Sequence, residues 1–577
     1  IVCYRNTYNE YLLNNEFKPL NVSSSFACNS LVHMFGILLK YVDSGNKLSG
    51  SNNHYNKSQH YQNKSSVGLI YCNQGVPILI KRFFRRCNAD LGTIVTVSTG
   101  ALEGKIVVTK SNRSYYSFQG IPYAEPPIGD LRFKNPLPKG NWSGILNATA
   151  PGSGCPQVDG LLLHTYYGNE DCLFLNVYVP KRNHSQPFPV LLWIHGGGFI
   201  SGDGGPTIYG PEYFLRKKMI VVTINYRLGA LGFLNLNTAE VPGNAGLKDQ
   251  SLAIKWVKEN IKYFDGCGQS ITIFGLGTGA ASAQYQMMSP MSQGLFRGVI
   301  LQSGSSSNPW ALQTDPVSVG NELASVLGIP KDTYDVGEFL RSVSALDIVI
   351  ASISQAFMGK VRLSFAPSVE SVFPGVEPFI TCSPQELLKS GSFHKVPMLI
   401  GLNKNNGLIY RTKAFSSAAA EEAIKNNCIP DLKQFVPDEL KAQCDPCGFD
   451  PIVAKIENHY FSCGDYSEGL TNLYTDFAFV KDIIPTIQYL AKYCPAVYFY
   501  EYSYTGTKDL LRLITDLVYC DTGHMDELAY MFNIQLLGIE DMPMSQTDEI
   551  LTKVLGGWNR GEDDYSDTWR IFYCMIL

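Results

Sequence analysis

Apolar and polar positions follow two different periods from about Thr96 onward. Short apolar runs rich in β-branched residues and bounded by Gly, Pro or Asp predict strands. The six predicted strands are Pro189–His195, Ile220–Tyr226, Ser270–Phe274, Gly298–Gln302, Val396–Leu402 and Ala496–Tyr502. A helix is predicted over Leu247–Tyr263, where apolar residues recur every three or four positions. Nearly continuous apolar strands alternating with amphipathic stretches indicate an α/β domain with a mostly parallel sheet covered on both faces.

The segment before this domain, residues 1–95, has a different texture. Polar clusters of Asn, Ser and Lys alternate with short apolar fragments that keep no sustained period, which predicts a poorly structured N-terminal extension. Its most apolar run, Phe26–Val42, contains Asn29, His33 and Lys40 and falls short of the roughly 18 clean apolar residues that a membrane span needs. We therefore expect a single large domain over residues 96–577. The chain begins with Ile1 rather than Met, so the presence of a signal peptide stays open.

The composition indicates the cellular compartment of the protein. The chain has 577 residues, a formal net charge of −4, 45% hydrophobic and 17% charged residues, which is typical of a globular protein and gives no reason to expect a nucleic-acid partner. Seven asparagines begin an N-x-[ST] sequon: Asn21, Asn56, Asn63, Asn112, Asn141, Asn147 and Asn183. Together with 15 cysteines, this density predicts a glycosylated, disulfide-bonded protein that is secreted or lies on the extracellular face of the plasma membrane.

The stretch Ile271–Ser282, ITIFGLGTGAAS, fits two motifs. Gly275, Gly277 and Ala280 form the G-x-G-x-x-A of a dinucleotide-binding turn, but that fold needs an acidic residue about 20 positions later to bind the ribose. The segment Leu295–Gly304 contains no Asp or Glu. The other motif is the G-x-S-x-G nucleophile elbow, a sharp turn between a strand and a helix. The elbow fits better, and Gly277 then occupies the position of the nucleophilic serine.

A glycine triplet upstream supports the elbow. Gly196, Gly197 and Gly198 follow the predicted strand PVLLWIH, as in the HGGG-type turn whose backbone amides contribute to the oxyanion hole of lipases and esterases. A triplet alone is equally consistent with a flexible loop. The order of strand, glycine turn, strand, helix, strand and elbow makes the esterase interpretation much more specific.

With these motifs in place, the chain resembles the carboxylesterase type B family, which includes the cholinesterases, over about Thr96–Leu577. The segments that carry the resemblance are Phe118–Phe133, Glu170–Pro180, Trp193–Phe199, Asn225–Phe233, Gly243–Gln250 and Leu295–Ser305. The resemblance implies an α/β-hydrolase fold, with a central, mostly parallel sheet flanked by helices. It also implies a disulfide between Cys155 and Cys172 and ion pairs joining Arg132 to Glu170 and Arg227 to Asp249.

The catalytic triad of the family is degenerate here. Active members use Ser, Glu and His, and the matching positions hold Gly277, Asn406 and His524. Glycine has no hydroxyl to attack a carbonyl, and asparagine carries no charge to stabilise an imidazolium and can leave the ring in the wrong tautomer. Gly197, Gly198 and the amide of Thr278 match the oxyanion hole. The Thr278 hydroxyl is a poor replacement nucleophile, since Leu276 and Ala280 occupy the places that its own elbow would require to be small.

No metal or cofactor site is expected. Cys444 and Cys447 have a C-x-x-C spacing, but the oxidising compartment favours disulfides over zinc, and the spacing does not give the pairing. Few residues follow His524 compared with the family, which suggests a domain truncated at its C-terminus and leaves a membrane anchor open.

The resemblance extends to the non-catalytic members neuroligin, neurotactin, glutactin and gliotactin. It implies a catalytically inactive cholinesterase-like protein that acts outside the cell by adhesion, through an extracellular protein partner or as a homodimer. Two alternatives stay open: a carboxylic ester hydrolase with weak residual activity, and a carrier that holds an apolar ligand in the emptied gorge.

Overall fold

The computed structural model describes residues 91–158, 165–181, 186–356, 361–412, 429–436, 449–462, 464–515 and 521–555. A nine-stranded sheet forms the centre, in the order β14-β13-β12-β11-β9-β10-β8-β4-β3. Its strands are β3 (Lys105–Val108), β4 (Ser114–Pro122), β8 (Phe174–Pro180), β9 (Phe188–Ile194), β10 (Ile220–Ile224), β11 (Gly266–Leu276), β12 (Gly298–Gln302), β13 (Met398–Asn403) and β14 (Val497–Tyr502). The six strands from β9 to β14 pair in parallel with one another, whereas β10 with β8, β8 with β4, and β4 with β3 are antiparallel.

Two small sheets accompany the central one. The first has three strands, β1 (Ile94–Val97), β2 (Gly100–Glu103) and β5 (Ile145–Asn147), and the second pairs β6 (Gln157–Val158) with β7 (Tyr166–Tyr167). The boundary predicted at Thr96 falls inside β1. The predicted extension therefore lies, except for residues 91–95, outside the described residues.

The helices connect the strands of the central sheet. They are α1 (Glu212–Leu215), α2 (Gly229–Phe233), α3 (Ala245–Asn260), α4 (Thr278–Met288), α5 (Pro316–Val326), α6 (Val336–Ser342), α7 (Ala345–Ala356), α8 (Pro384–Ser390), α9 (Asp450–Phe461), α10 (Tyr466–Thr475), α11 (Lys481–Tyr493), α12 (Leu510–Ile514), α13 (Leu528–Met531) and α14 (Gln546–Leu555). Two turns of other geometry border the site, the 3-10 turn Asn406–Arg411 and the π turn Asp476–Val480. No helix in the described ranges is long and apolar enough to cross a membrane.

The predicted fold class, an α/β-hydrolase fold, is confirmed. All six predicted strands form, and the parallel strands β9, β10 and β12 are buried at almost every position, because helices cover both faces of the sheet. The predicted helix is also present, but it ends at Asn260 and tightens into the 3-10 turn Ile261–Phe264. The antiparallel strands β4 and β8 were not among the predicted strands.

The disulfide and the two ion pairs that the resemblance implies are all present. Cys155 and Cys172 form a disulfide. The guanidinium of Arg227 donates to the carboxylate of Asp249 over 2.8 and 2.7 Å, and both side chains are buried. Arg132 donates to Glu170 over 2.7 and 2.5 Å. Both predicted ion pairs are therefore present, each with the two parallel hydrogen bonds that fix an arginine against a carboxylate.

Candidate active site

The elbow is built where β11 meets α4. Gly277 lies between them with φ 58° and ψ −118°, a conformation that costs any residue with a Cβ of the order of 1–3 kcal/mol. Gly279 lets the turn approach the neighbouring strand, since a Cβ there would lie 2.2 Å from the carbonyl oxygen of Ile194. The chain therefore keeps the tight geometry of a nucleophile elbow, and Gly277 stands at its apex.

Three backbone amides gather beside that apex. Gly197 and Gly198 follow β9 with φ 110° and 66°, and Thr278 is the first residue of α4. None of these three amides donates to the described backbone outside regular elements, and a first-turn helix amide has no partner within its own helix. The 11-residue helix α4 also directs its positive end here. The residues predicted to form an oxyanion hole thus lie together around one cavity.

His524 faces Gly277 across the site. Its Nε2 atom lies 3.1 Å from the point where a Cβ at position 277 would be, and its Nδ1 lies 2.9 Å from Oδ1 of Asn406. An amide oxygen only accepts hydrogen bonds, so Nδ1 carries the proton and Nε2 presents a lone pair to the cavity. This differs from the expectation that asparagine can leave the ring in the wrong tautomer, because the Asn406 oxygen, and not its NH₂ group, points at the ring.

Burial keeps this imidazole neutral. His524 is 9% exposed, and its burial lowers the pKa from 6.5 to about 4, because a charged ring would lose its hydration. In an active triad the acid offsets this loss with a negative charge, but Asn406 has none, and its Nδ2 is buried without a hydrogen-bond partner among the described residues. At neutral pH, the His524 ring is therefore uncharged, and its Nε2 atom can accept a hydrogen bond in the cavity.

A carboxylate lies close to His524 in sequence but does not serve as a triad acid. Glu527 is buried and accepts from Nδ2 of Asn403 over 2.5 Å and from Nε2 of Gln302 over 3.3 Å. Burial raises the pKa of Glu527 to about 7. These contacts tie the loop that carries His524 to strands β12 and β13, and they leave Asn406 as the hydrogen-bond partner of the ring.

The cavity has a volume of about 90 Å³. It is lined by Gly197, Gly198, Leu276, Gly277, Thr278, Trp310, Val361, Leu363, Ile409, Tyr410, Phe479, His524 and Met525. The Phe479 ring lies 5.3 Å from the His524 ring, centroid to centroid, and the indole nitrogen of Trp310 donates to the carbonyl of Ala478 over 2.9 Å. The walls are mainly apolar, and the polar groups concentrate at the elbow, the glycine turn and His524.

Sequence reasoning missed the residues that form these walls. Trp310 follows β12, and Phe479 lies in the π turn Asp476–Val480, so neither belongs to a motif of the site. A π turn frequently marks a functional site, but no sequence pattern predicts it. Val361 also lines a second, larger cavity of about 690 Å³, so the two cavities share a wall.

The described residues include only some of the other predicted sites. Asn112, Asn141 and Asn147 are exposed, as glycosylation requires. Asn183, the three earlier sequons, and Cys444 and Cys447 lie outside the described residues. Within the described ranges no group of three or more His, Cys, Asp or Glu side chains is placed to hold a metal ion.

Comparison with known proteins agrees with this geometry. The profile of the Carboxylesterase family matches residues 92–559. Esterase FE4 of Myzus persicae is 34% identical over 473 residues, which cover 79% of this chain and 82% of that protein. A juvenile hormone esterase of Tribolium castaneum is 32% identical over 461 residues, covering 76% and 78% of the two chains.

A solved structure is similar as well. The crystal structure of juvenile hormone esterase from Manduca sexta, with OTFP covalently attached, superposes with a TM-score of 0.71 at 29% sequence identity. The match covers 81% of this chain and 89% of that chain. These relatives carry the names of enzymes.

Proposed function

This chain belongs to the carboxylesterase family, and from that premise we propose that it is a catalytically inactive, cholinesterase-like member that acts outside the cell by binding other proteins. The observation that carries the proposal is the missing hydroxyl at Gly277. The rest of the site keeps its positions, with Nε2 of His524 3.1 Å from where a Cβ would begin. Without a nucleophile, an acyl-enzyme has no atom on which to form.

The loss of the nucleophile also leaves the retained base, His524, without a hydroxyl to activate. A nucleophile and its general base act as one unit, so losing the nucleophile alone typically costs about a million-fold in rate. The neutral Asn406 adds to this loss, since it offers no charge to the imidazolium that would form during attack. The retained amides of Gly197, Gly198 and Thr278 would polarise a bound carbonyl, but they supply only the small residual catalysis of an oxyanion hole.

An extracellular role is supported by the exposed sequons Asn112, Asn141 and Asn147 and by the disulfide Cys155–Cys172, because disulfides persist in oxidising compartments. Adhesion, as in neuroligin-like members, rests on the resemblance together with the disarmed triad. The partner is an extracellular protein, or a second copy of the chain in a homodimer.

The purified protein tests the chemistry directly. We expect no turnover of p-nitrophenyl acetate above buffer background, and no covalent labelling by a fluorophosphonate probe, with an active carboxylesterase as the positive control. Turnover with stoichiometric labelling of any elbow residue would refute the proposal. Turnover without labelling would instead support the weak hydrolase, with water attacking in place of serine.

The binding role needs a separate test. The glycosylated protein, immobilised on beads, should cluster with beads that carry a cognate extracellular ectodomain or the same chain. A matched preparation in which Asn112, Asn141 and Asn147 are changed to Gln controls for capture through glycans. A monomer that retains no extracellular protein from any tissue expressing it would argue against adhesion.

A further inference from the structure

The emptied catalytic site presents an unusual pair of complementary polar groups. On one side, the amides of Gly197, Gly198 and Thr278 supply donors and no acceptor. On the other, Nε2 of His524 supplies an acceptor and no donor, because the ring proton is held on Nδ1 by the oxygen of Asn406. A ligand that satisfies both must accept at one atom and donate at a second atom close by.

Two independent observations mark these groups as a site rather than a helix end alone. The side chain of His524 is only 9% exposed, and its Nε2 faces the space above Gly277 without a hydrogen-bond partner in the described residues. The hydroxyl of Thr278 is also buried there without a partner. A buried polar group without a partner costs free energy, as the Thr278 hydroxyl does. Nε2 of His524 still reaches solvent, so a ligand there would replace water as its partner.

The absent serine side chain determines the shape of the ligand head. A Cβ at position 277 would lie 3.1 Å from Nε2 of His524, closer than an ordinary van der Waals contact, so any side chain there would fill this space. With glycine, the space is free for an oxygen that belongs to the ligand. A carboxylic acid carries its accepting carbonyl and its donating hydroxyl on one carbon, so a single head group can reach both the amides and the ring.

The side chains that line the cavity determine which ligand tail fits. Trp310, Phe479, Leu363 and Ile409 line the same cavity, and they favour an uncharged hydrocarbon tail. Its volume is about 90 Å³, several times the roughly 10–15 Å³ that one water needs, so it has room for a short acyl chain. An acid of about six carbons matches that size.

We propose that this cavity binds a short monocarboxylic acid, with its carbonyl oxygen at the amides of Gly197, Gly198 and Thr278 and its hydroxyl donating to Nε2 of His524. The inference rests on the proposed function, because a serine at position 277 would occupy the place of the acid hydroxyl. The ligand is held intact and no bond is made or broken. One proton, taken from solvent, lies between the acid and the ring.

That shared proton makes binding depend on pH. Besides His524, the ionisable side chains on the elements that line the cavity are His195, Arg362, Tyr410, Arg411, Asp476, Asp526 and Glu527. Asp476 accepts from Tyr460, Asp526 from the amide of Gly523, and Glu527 from Asn403, so these carboxylates are engaged away from the ring. Burial lowers the pKa of His524 to about 4, so above about pH 5 neither the free site nor the free acid holds the proton that the complex holds.

Isothermal titration of the whole protein with hexanoate tests the proposal. The dissociation constant should rise about tenfold per pH unit, hence about a hundredfold between pH 5.5 and pH 7.5. Titrations in two buffers of different ionisation enthalpy should show the uptake of about one proton. Hexanamide has the same accepting carbonyl and a donating NH₂ group in place of the acid hydroxyl, but no acidic proton, so its affinity should stay constant over this range.

Two glycine variants locate the ligand. Gly277→Ala places a methyl group where the acid hydroxyl lies and should weaken hexanoate binding at least tenfold. Gly294→Ala is the matched control, because Gly294 also has positive φ, 76°, but open space around its Cβ position; it should bind like the wild type. His524→Phe removes the acceptor and should also abolish the pH dependence.

Absence of hexanoate binding at pH 5.5, equal affinity at both pH values, or full binding by Gly277→Ala would overturn the proposal. A pH response of hexanamide equal to that of hexanoate would also overturn it, since the effect would then come from the protein. None of these results restores a nucleophile, so the inactive, protein-binding function would stand. Ester turnover by the wild type would refute that function while leaving the titration result intact.

Discussion

Restoring two side chains should restore ester hydrolysis. The double variant Gly277→Ser with Asn406→Glu returns the nucleophile and the acid to a site that still has His524, the elbow and the oxyanion amides. A serine Cβ would lie 3.1 Å from Nε2 of His524, so its hydroxyl falls within hydrogen-bond reach of the base. We expect measurable turnover of p-nitrophenyl acetate and covalent labelling by a fluorophosphonate.

The size of the contribution from position 406 follows from the pKa of His524. Burial lowers that pKa from 6.5 to about 4, and each tenfold change in acidity is worth about 1.4 kcal/mol, so forming the imidazolium costs about 3 kcal/mol more than for a free histidine. A barrier higher by that amount slows the reaction by about a few hundredfold. Gly277→Ser alone should therefore be about a hundredfold or more slower than the double variant, and Asn406→Glu alone should be inactive.

Initial rates and active-site titration with the phosphonate separate these variants. Serine at φ 58° carries backbone strain, so Gly294→Ser, at φ 76° in open space, reports the cost of that strain on unfolding without touching the site. Adding His524→Ala to the double variant should abolish its activity. A folded double variant that remains inert to ester and phosphonate would refute the reasoning, because the site would then differ from an esterase in more than its triad.

Three further predictions concern stability and processing. Changing both Cys155 and Cys172 to Ser opens a link between residues 17 apart and should lower the free energy of unfolding in urea by about 3 kcal/mol. Burial raises the pKa of Glu527 to about 7, so the folded state binds a proton that the unfolded state releases; stability should fall by up to about 3 kcal/mol as pH rises from about 4.5 to 7, and Glu527→Gln should flatten this part of the urea-midpoint profile. Asn112, Asn141 and Asn147 are exposed, so glycosidase treatment of protein from a eukaryotic host should lower its mass, and changing all three to Gln should reduce that shift.

The sequence predicted the parallel half of the sheet better than the antiparallel half. Strands β9, β10, β12 and β13 are apolar runs because both faces are covered, and such runs are visible in a single sequence. In β8 the apolar pattern is interrupted by Asn176, whose buried amide donates to the carbonyl of Gly204 and the hydroxyl of Thr223. A partner provided by the tertiary structure thus makes a polar residue compatible with a buried strand, and local pattern does not reveal it.

In the candidate active site, too, residues in local motifs were predicted and residues placed by tertiary contacts were not. Gly277, Asn406 and His524 were predicted because each lies in a recognisable motif, and the structure brings them together. The side chains of Trp310, Tyr410 and Phe479 were not predicted, since they reach the cavity from turns that are far apart in the chain and carry no motif. The orientation of the Asn406 amide was also beyond sequence, because both ends of an amide form hydrogen bonds and only the position of the ring selects the oxygen.

The buried position of Asn406 also affects how the protein ages chemically. Asn406 precedes Gly407, and an asparagine followed by glycine is prone to deamidation, in which the glycine nitrogen attacks the side-chain carbonyl. Here that nitrogen donates to the hydroxyl of Thr475 over 2.9 Å, and Asn406 is fully buried, so the attacking geometry is blocked while the domain is folded. Chains that spend time unfolded lose this protection and gain an acidic side chain at position 406. Mass spectrometry of stored and of denatured samples should therefore show deamidation here only after unfolding, so the residue records the folding history of each molecule.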